Sequence, residues 1–403
     1  MSNTIITENL LQRETIRLLD KNSVIMPMAN RKYEKSGLDG LLSQGTTVTV
    51  QTFPNVTGKF NGTAGAAITN EDFAITSGNL TINKVYQIRT TVPDIEAVQS
   101  NLDLRSQLAN RYAFALAQVY DKFVASLAVD NANSSNVVDK SSPYSLASST
   151  IYGKVEELRQ KLSLQNAFGN AALFVGPKEA SNIRQTALFD GFSEGLRYRI
   201  SQGIASMNGL MGQMAGFDIY ETNNLPIRQK VTQATQSSNT ETLTFTDGTD
   251  TLTFTLVSTI GTTAGNVLLG ANAAAQQTNL KTLFDAIGTT TATGVALSAA
   301  DQEIFKKWQL RISAWDTNVA YFSANTALTV GGTSSADYVM GTQARVMFAM
   351  DREAVNMVEQ LAKTKITDGD DGFYSNVLLE AVYGGAVIGE NAKRIATLDV
   401  ANT

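Results

Sequence analysis

One pentapeptide of the chain has the spacing of a nucleophile elbow, the sharp turn that presents the serine of many hydrolases. It reads Gly-Phe-Ser-Glu-Gly at 191–195 and matches the pattern G-x-S-x-G. A serine at such a turn needs a base that takes its proton, usually histidine. The chain contains no histidine, and no S-x-x-K motif that would supply a lysine instead. We therefore interpret residues 191–195 as a loop, and we predict no catalytic residue.

Two other clusters could hold a phosphate or a metal ion. Gly209, Gly212 and Gly216 have neither the G-x-G-x-x-G spacing nor a following Gly-Lys-Ser/Thr, so tight turns before a strand explain them better than a phosphate loop. The acidic segment 368–371 does not have the spacing of the glycine and terminal glutamate of an EF-hand. We interpret it as a solvated turn and predict neither a metal site nor a cofactor.

Composition excludes further classes. The chain has 403 residues, no cysteine, 17% charged residues and a net charge of −5. It can form no disulfide and lacks the usual zinc and haem ligands. A net negative chain does not bind nucleic acid with its whole surface. No signal peptide is visible, and polar residues interrupt the longest apolar stretch, 112–129, so we predict no membrane span.

Two strands at the N-terminal side are joined by a long, weakly apolar segment. Residues 47–53 alternate strictly, and residues 80–92 form a second strand, with a Gly-, Asn- and Thr-rich stretch at 54–79 between them. Such a hairpin is marginal alone in water, so we expect it to lie on another surface. Its candidate contacts are Phe53, Lys59, Phe60, Ile68 and Phe73. Arg184, Arg197 and Arg199 are further candidates for pairing between subunits rather than for nucleic-acid readout.

Periodic apolar residues place most other elements. We predict helices at 103–130, 151–167, 279–287, 299–312 and 351–363, a short helix after Pro177, and strands at 171–175, 217–220, 319–322 and 344–349, with a strand-rich end at 377–400. Between 231 and 280 there is no Lys or Arg, and two threonine-rich alternating runs flank an Asp-Gly turn at 247–248. This pattern predicts a β-hairpin within a compact α+β module inserted at 229–342.

The order of these parts resembles the major capsid protein of tailed bacteriophages, which has the α+β fold named after phage Hong Kong ninety-seven. The stretches that carry the resemblance are Leu173-Phe174-Val175-Gly176-Pro177, residues 209–226 and the ending from Tyr383 to Ala396. It covers roughly residues 1–228 and 343–403. The resemblance implies an N-terminal arm at 1–44, an extended loop at 45–92, a peripheral domain at 93–168 completed by 385–403, an axial domain at 169–228 and 343–384, and the inserted surface domain at 229–342. In this assignment the helix at 151–167 resembles the spine helix.

The same resemblance implies a structural, non-enzymatic function. The chain would form pentamers and hexamers of an icosahedral head that encloses double-stranded DNA without sequence-specific binding. Its implied partners are other copies of the chain, a separate scaffolding protein, a portal and a decoration protein on the insert. It would be found in the virion, and in the host cytoplasm during assembly. Two alternatives stay open: an encapsulin-type nanocompartment shell, and a histidine-free enzyme that uses carboxylates or a metal ion.

Overall fold

The computed structural model describes residues 15, 18–19, 22–32, 47–52, 76–93, 104–167, 169, 171–186, 209–368 and 374–402. Five α-helices lie entirely within them: α1 (Leu104–Asn131), α2 (Ile151–Leu164), α3 (Pro177–Arg184), α4 (Ala273–Asp285) and α5 (Ala299–Trp308). The strands before the insert are β1 (Thr47–Thr52), β2 (Thr76–Pro93), β3 (Val137–Val138), β4 (Ala172–Val175), β5 (Leu210–Met214) and β6 (Phe217–Glu221).

The later strands, in chain order, are β7 (Ile227–Gln233), β8 (Thr242–Thr246), β9 (Thr251–Val257), β10 (Asn266–Leu268), β11 (Arg311–Ile312), β12 (Val319–Ala324), β13 (Thr329–Gly331), β14 (Tyr338–Met350), β15 (Asn356–Asp368), β16 (Tyr374–Ala386) and β17 (Ile395–Ala401). The predicted α+β class is confirmed. The chain divides into two compact units, one of Met1–Asn131 with Met350–Ile395 and one of Ala132–Ala349 with Ala396–Thr403.

The first unit combines a four-stranded sheet, in the order β1-β2-β16-β15, with the long helix α1. The 28 residues of α1 extend over about 42 Å. The helix packs against β16 through Tyr120 and Phe123, whose ring centroids lie 5.1 and 5.0 Å from that of Tyr383. Burial raises the pKa of Tyr383 to about 12. Aromatic contacts thus fix the helix on one face of the sheet.

The helix predicted at 351–363 is wrong, because this segment enters β15. Asn356–Asp368 pairs antiparallel with β16 through almost its whole length. The segment is rich in Glu, Gln and Lys, which favour helices locally. Twelve paired backbone positions on a neighbouring strand outweigh that preference, as tertiary context commonly does in sheets.

A glycine allows β2 and β16 to approach each other at an irregular point of their pairing. The register shifts between Tyr383 and Gly384, so Asn83 of β2 is left as an extra residue. A Cβ on Gly384 would lie 2.3 Å from the carbonyl oxygen of Thr81 and 2.8 Å from the Cα of Ile82. Both are backbone atoms, so no side-chain rotation relieves the contact, and glycine is required at this bulge.

We expect Gly384→Ala to destabilise the protein by about 3 kcal/mol, because the new methyl group must displace backbone in a packed sheet. Thermal unfolding followed by circular dichroism measures this. Gly153→Ala in α2 is the matched control, since its Cβ meets nothing within 4 Å and alanine favours helix interiors by about 1 kcal/mol. An unchanged melting temperature for Gly384→Ala would contradict the close approach.

The second unit contains a nine-stranded sheet and a separate four-stranded sheet. The larger has the order β11-β12-β7-β14-β4-β6-β5, with β17 paired to β14 and to β3, and the smaller has the order β10-β9-β8-β13. Helices α2 and α3 bury one side of the larger sheet through Val155, Leu158 and Ile183, which pack with Leu173 and Phe217. The elements predicted at 151–167, 171–175 and 217–220 therefore exist, with ends shifted by a few residues.

The segment 229–342 has a hydrophobic core of its own. Phe245 and Phe254 of the β8–β9 hairpin contact Phe284 of α4, and Trp308 of α5 belongs to the same buried cluster. The chain enters this module along β7 and leaves it along β14. These two strands are antiparallel neighbours, and Gln233 lies opposite Tyr338. The module is therefore an excursion from two adjacent strands of the larger sheet.

Candidate assembly surfaces

The strands β1 and β2 form a ribbon that extends from the four-stranded sheet. Residues 76–81 of β2 pair with β1, and residues 82–93 pair with β16. The base of the ribbon is packed, since Val50 and Leu80 are buried in one cluster with Val358 and Ile388. The segment 53–75 that joins the strands lies outside the described residues. A packed base gives the ribbon a fixed direction where it leaves the sheet.

Of the eight predicted contact residues, only Arg184 belongs to the described part of the chain. Its guanidinium contacts the carboxylate of Glu221 in the same chain, and half of its side chain is exposed. Phe53, Lys59, Phe60, Ile68, Phe73, Arg197 and Arg199 all lie outside the described residues. The pentapeptide 191–195 and residues 369–371 of the acidic segment also lie outside them. The structure therefore does not test these candidates, and their roles stay predictions.

A buried carboxylate anchors the segment before the ribbon. Asp121, on the buried face of α1 and 1% exposed, accepts hydrogen bonds from the backbone N–H groups of Val24, Ile25 and Met26 at 2.9, 3.0 and 2.9 Å. Three backbone donors thus find their acceptor in one carboxylate. Sequence reasoning missed this role, although an aspartate among the apolar residues of a helix is itself a signal.

The same N-terminal segment continues onto the edge of the sheet. Asn30 donates its backbone N–H to the carbonyl of Val355 at 2.8 Å and accepts one from Met357 at 3.0 Å. Its side-chain amide donates to Asn356 at 2.8 Å. Next to it, Arg31 forms an ion pair of 2.5 Å with Glu359, whose side chain is 10% exposed. Residues 24–31 are thus held at two places of the first unit.

In the second unit, an ion pair lies in the interior of the larger sheet. Arg228 on β7 donates to both carboxylate oxygens of Asp399 on β17, at 3.0 and 3.3 Å, and the two side chains are 5% and 1% exposed. Burial raises the pKa of Asp399, and the nearby positive charges of Arg228 and Lys140 oppose this shift. Lys140 also lies over the ring of Tyr321, 4.3 Å from its centroid. The ion pair joins β7, the strand from which the chain enters the insert, to β17.

The turn of the threonine-rich hairpin is held by another carboxylate. Asp247 accepts the backbone N–H groups of Thr249 and Asp250 at 2.9 and 2.8 Å and the indole N–H of Trp308 at 2.9 Å. These hydrogen bonds, first the one from Asp250, lower the pKa of Asp247 to about 2. The predicted hairpin is confirmed, with Thr246 opposite Thr251 across the turn.

Because the pKa of Asp247 is low, the stability of the insert depends on pH in acid. The folded state holds the carboxylate ionised down to about pH 2, whereas the ordinary pKa of an aspartate side chain is 3.8. The contribution of Asp247 is therefore complete above pH 4 and is lost as the pH falls from about 4 to about 2. We expect Asp247→Asn to destabilise the insert at pH 6, with the difference from wild type shrinking towards pH 2.

Tryptophan fluorescence during urea unfolding measures this difference, because the only two tryptophans of the chain, Trp308 and Trp315, lie in the insert. Asp285→Asn is the control, since Asp285 forms a surface pair with Lys281 and is 61% exposed. A difference between Asp247→Asn and wild type that stayed constant from pH 6 to pH 2 would refute the proposed role of the turn.

The described residues contain no group of three or more acidic side chains placed to hold a metal ion. In the same part of the chain, no helix is both long and apolar enough to cross a bilayer. One groove there is lined by Leu243, Val330, Val339 and Met340 together with small or hydroxylated residues.

Comparison with known proteins gives matches only among solved structures. No family model and no curated protein matches the chain. A structure of Mycobacterium phage Che8 is 17% identical, with a TM-score of 0.48 over 93% of this chain and 90% of that one. The capsid of Ralstonia phage GP4 is 10% identical, with a TM-score of 0.49 over 90% and 85%. A virus-like particle from Pyrococcus furiosus is 9% identical, with a TM-score of 0.40 over 97% and 98%. Because all three TM-scores lie below 0.5, we infer function from this chain's own residues.

Proposed function

We propose that the chain is the major capsid protein of a tailed bacteriophage, a structural subunit that assembles with copies of itself into an icosahedral head. The observation that carries this proposal is the ribbon β1–β2. Its base is packed into its own unit, while a hairpin of two strands is marginal alone in water. A ribbon of this kind is stabilised when it lies on a neighbouring subunit, which is the role that the sequence resemblance implies for residues 45–92.

The other parts of the chain support the same proposal. We assign the unit of α1 and the sheet β1-β2-β16-β15 to the peripheral domain, with α1 as its long helix. The larger sheet of the second unit, with α2 and α3, corresponds to the axial domain. The sequence resemblance implied that 350–384 belongs to the axial domain and that α2 belongs to the peripheral domain. This assignment instead puts 350–384 in the peripheral domain and α2 in the axial domain, because 350–395 forms a compact unit with α1. The insert then carries its own core on two adjacent strands of the axial domain.

The composition also fits a subunit that catalyses nothing. Without histidine and cysteine, the chain lacks the side chains that most often move protons or attack carbonyl groups at neutral pH. A charged fraction of 17% suits surfaces that are buried against other copies, because charge is depleted at interface cores. The proposal includes the partners of such a subunit. These are a scaffolding protein and a portal during assembly, a decoration protein on the insert, and the enclosed double-stranded DNA. The subunit would be made in the host cytoplasm and end in the virion.

Electron microscopy of the expressed chain, with and without the genes that neighbour its own, tests the proposal. We expect closed shells for wild type. A variant in which 53–75 is replaced by Asn-Gly should fold but remain as small oligomers, since Asn-Gly closes a two-residue hairpin between β1 and β2. Tryptophan fluorescence checks that the variant is folded. Wild-type chains that stay monomeric under all conditions would overturn the proposal, and a cargo enzyme inside the shells would indicate an encapsulin-type nanocompartment instead.

A further inference from the structure

One face of the first unit's sheet exposes a leucine between two cations. The pairing registers place Arg89 of β2, Leu378 of β16 and Lys365 of β15 directly opposite one another in one row. Leu378 is 36% exposed, and Arg89 and Lys365 are exposed as well. Directly opposite residues have Cβ atoms about 5 Å apart, so the two cations flank the leucine on both sides. We call this row, together with Glu380, the Leu378 face.

Within the described part of the chain, the charges of the Leu378 face are only partly paired. Among the described residues, no carboxylate forms a salt bridge with Arg89 or Lys365. Glu380 lies two residues from Leu378 on the same side of β16, about 7 Å along the strand. Its carboxylate accepts a hydrogen bond from Gln87 at 2.5 Å, which leaves further acceptor positions on its two oxygens. The face therefore carries an apolar centre with both signs of charge at similar distances from it.

This arrangement is complementary to itself. The direction from Leu378 to Arg89 runs across the strands, and the direction from Leu378 to Glu380 runs along them. A two-fold axis in the plane of the sheet, midway between these directions, exchanges the two. It brings two faces together with strands crossing at about 90°, which is one of the two common modes of sheet packing. Leu378 then meets its own copy, and each Arg89 meets the other copy's Glu380.

We propose that the Leu378 face is an isologous contact between two copies of this chain, centred on Leu378 and flanked by two equivalent pairs of Arg89 with Glu380. The inference rests on the proposed function, because it takes the partner to be a second subunit. It goes further by naming the face, its symmetry and the pair of charges. Isologous contacts are self-complementary by definition, and the two charge pairs fix the orientation of the copies.

Packaged DNA is the other partner that two exposed cations would suit. Nucleic-acid sites gain affinity from neutralised phosphates, but here an exposed leucine separates the cations and a carboxylate follows in the next row. Both features disfavour a phosphate backbone and suit a polypeptide surface of mixed charge.

Chemical crosslinking tests the symmetry. The chain has no cysteine, so Leu378→Cys introduces the only thiol. Stacked sheets are about 10 Å apart, which suits a bismaleimide with a two-carbon spacer. In assembled particles we expect covalent dimers joined 378 to 378, because a two-fold axis that passes by Leu378 places this residue beside its own copy. Val339→Cys, which alters an exposed residue of the insert, is the control that should react without forming comparable amounts of dimer.

Charge exchange tests the pairing. Arg89→Glu and Glu380→Arg should each lower the yield of particles about tenfold, the effect of roughly 1.4 kcal/mol per contact. The double variant R89E/E380R should restore the yield, because it rebuilds each pair with reversed polarity. Lys365→Glu, on the other side of Leu378, is the matched control and should have a smaller effect.

Each outcome decides the proposal. Wild-type shells without dimers at position 378, or a double variant no better than the single ones, would overturn the contact and leave the capsid function standing. Normal particles of Arg89→Glu that retain less DNA would show that the face binds nucleic acid instead. If wild type forms no shells at all, the proposed function itself fails.

Discussion

Replacement of Asp121 by alanine is expected to release residues 24–26 from α1 and to lower the free energy of unfolding by about 3 kcal/mol or more. The carboxylate accepts three backbone N–H groups, and each buried donor that loses its partner costs about 1–3 kcal/mol. Alanine ends at Cβ and has no side-chain acceptor, so the three backbone N–H groups lose their partner. The loss is therefore large for a substitution that leaves the apolar core intact.

Hydrogen exchange at the amides of residues 24–26 measures the release directly, since protection of these amides depends on Asp121. Asp121→Asn should retain part of the protection, because the amide oxygen still accepts hydrogen bonds. Asp130→Ala, at an exposed position of the same helix, controls for the removal of a negative charge. Full protection at 24–26 in Asp121→Ala would show that the segment is held by other contacts.

Replacement of Arg228 by methionine is expected to cost about 3–5 kcal/mol, because it leaves the carboxylate of Asp399 buried without its counter-ion. The double variant R228M/D399L should recover most of the loss, since two apolar side chains of similar volume remove the buried charge altogether. Urea unfolding followed by tryptophan fluorescence measures the effect, because both tryptophans lie in the same unit as the ion pair.

The loss of stability in Arg228→Met should become smaller as the pH falls. Burial already raises the pKa of Asp399, and Arg228 opposes that shift, so removing the arginine raises the pKa further. A carboxyl group with a raised pKa binds its proton more readily in the folded state, and its penalty disappears as the pH falls through that pKa. The variant should therefore approach wild type in mildly acidic buffer. If the difference in unfolding free energy between wild type and Arg228→Met grew on acidification, the proposed role of the buried Asp399 carboxylate would be wrong.

Local patterns predict the elements of this chain well where the packing is local. The apolar repeat of α1 predicts a helix at 103–130, and the structure has it at Leu104–Asn131. The alternating threonine runs predict the β8–β9 hairpin, because each strand buries one face and the turn residues lie between them. These signals suffice because helix and hairpin contacts join residues that are close in sequence.

The contacts between distant segments carry no comparable signal. The partners of Asp121 are about 96 residues away, and Arg228 and Asp399 are 171 residues apart. The helix predicted at 351–363 fails for a different reason: its Glu, Gln and Lys residues favour a helix locally, and pairing with β16 outweighs that preference. Asp121 alone could have been noticed, because it lies on the face of α1 that also carries the buried residues Ala117, Val124 and Ala128.

The adjacency of β7 and β14 makes the insert replaceable. Gln233 and Tyr338 lie opposite each other on antiparallel neighbours, so the connection between them needs only two ends about 5 Å apart. A hairpin loop meets this requirement, and so does any folded domain whose own termini are close together, as domain termini often are. The host sheet sets the distance between the two attachment points and leaves the sequence between them free. We therefore expect that one inserted domain can be exchanged for another at this position without changing the sheet that carries it.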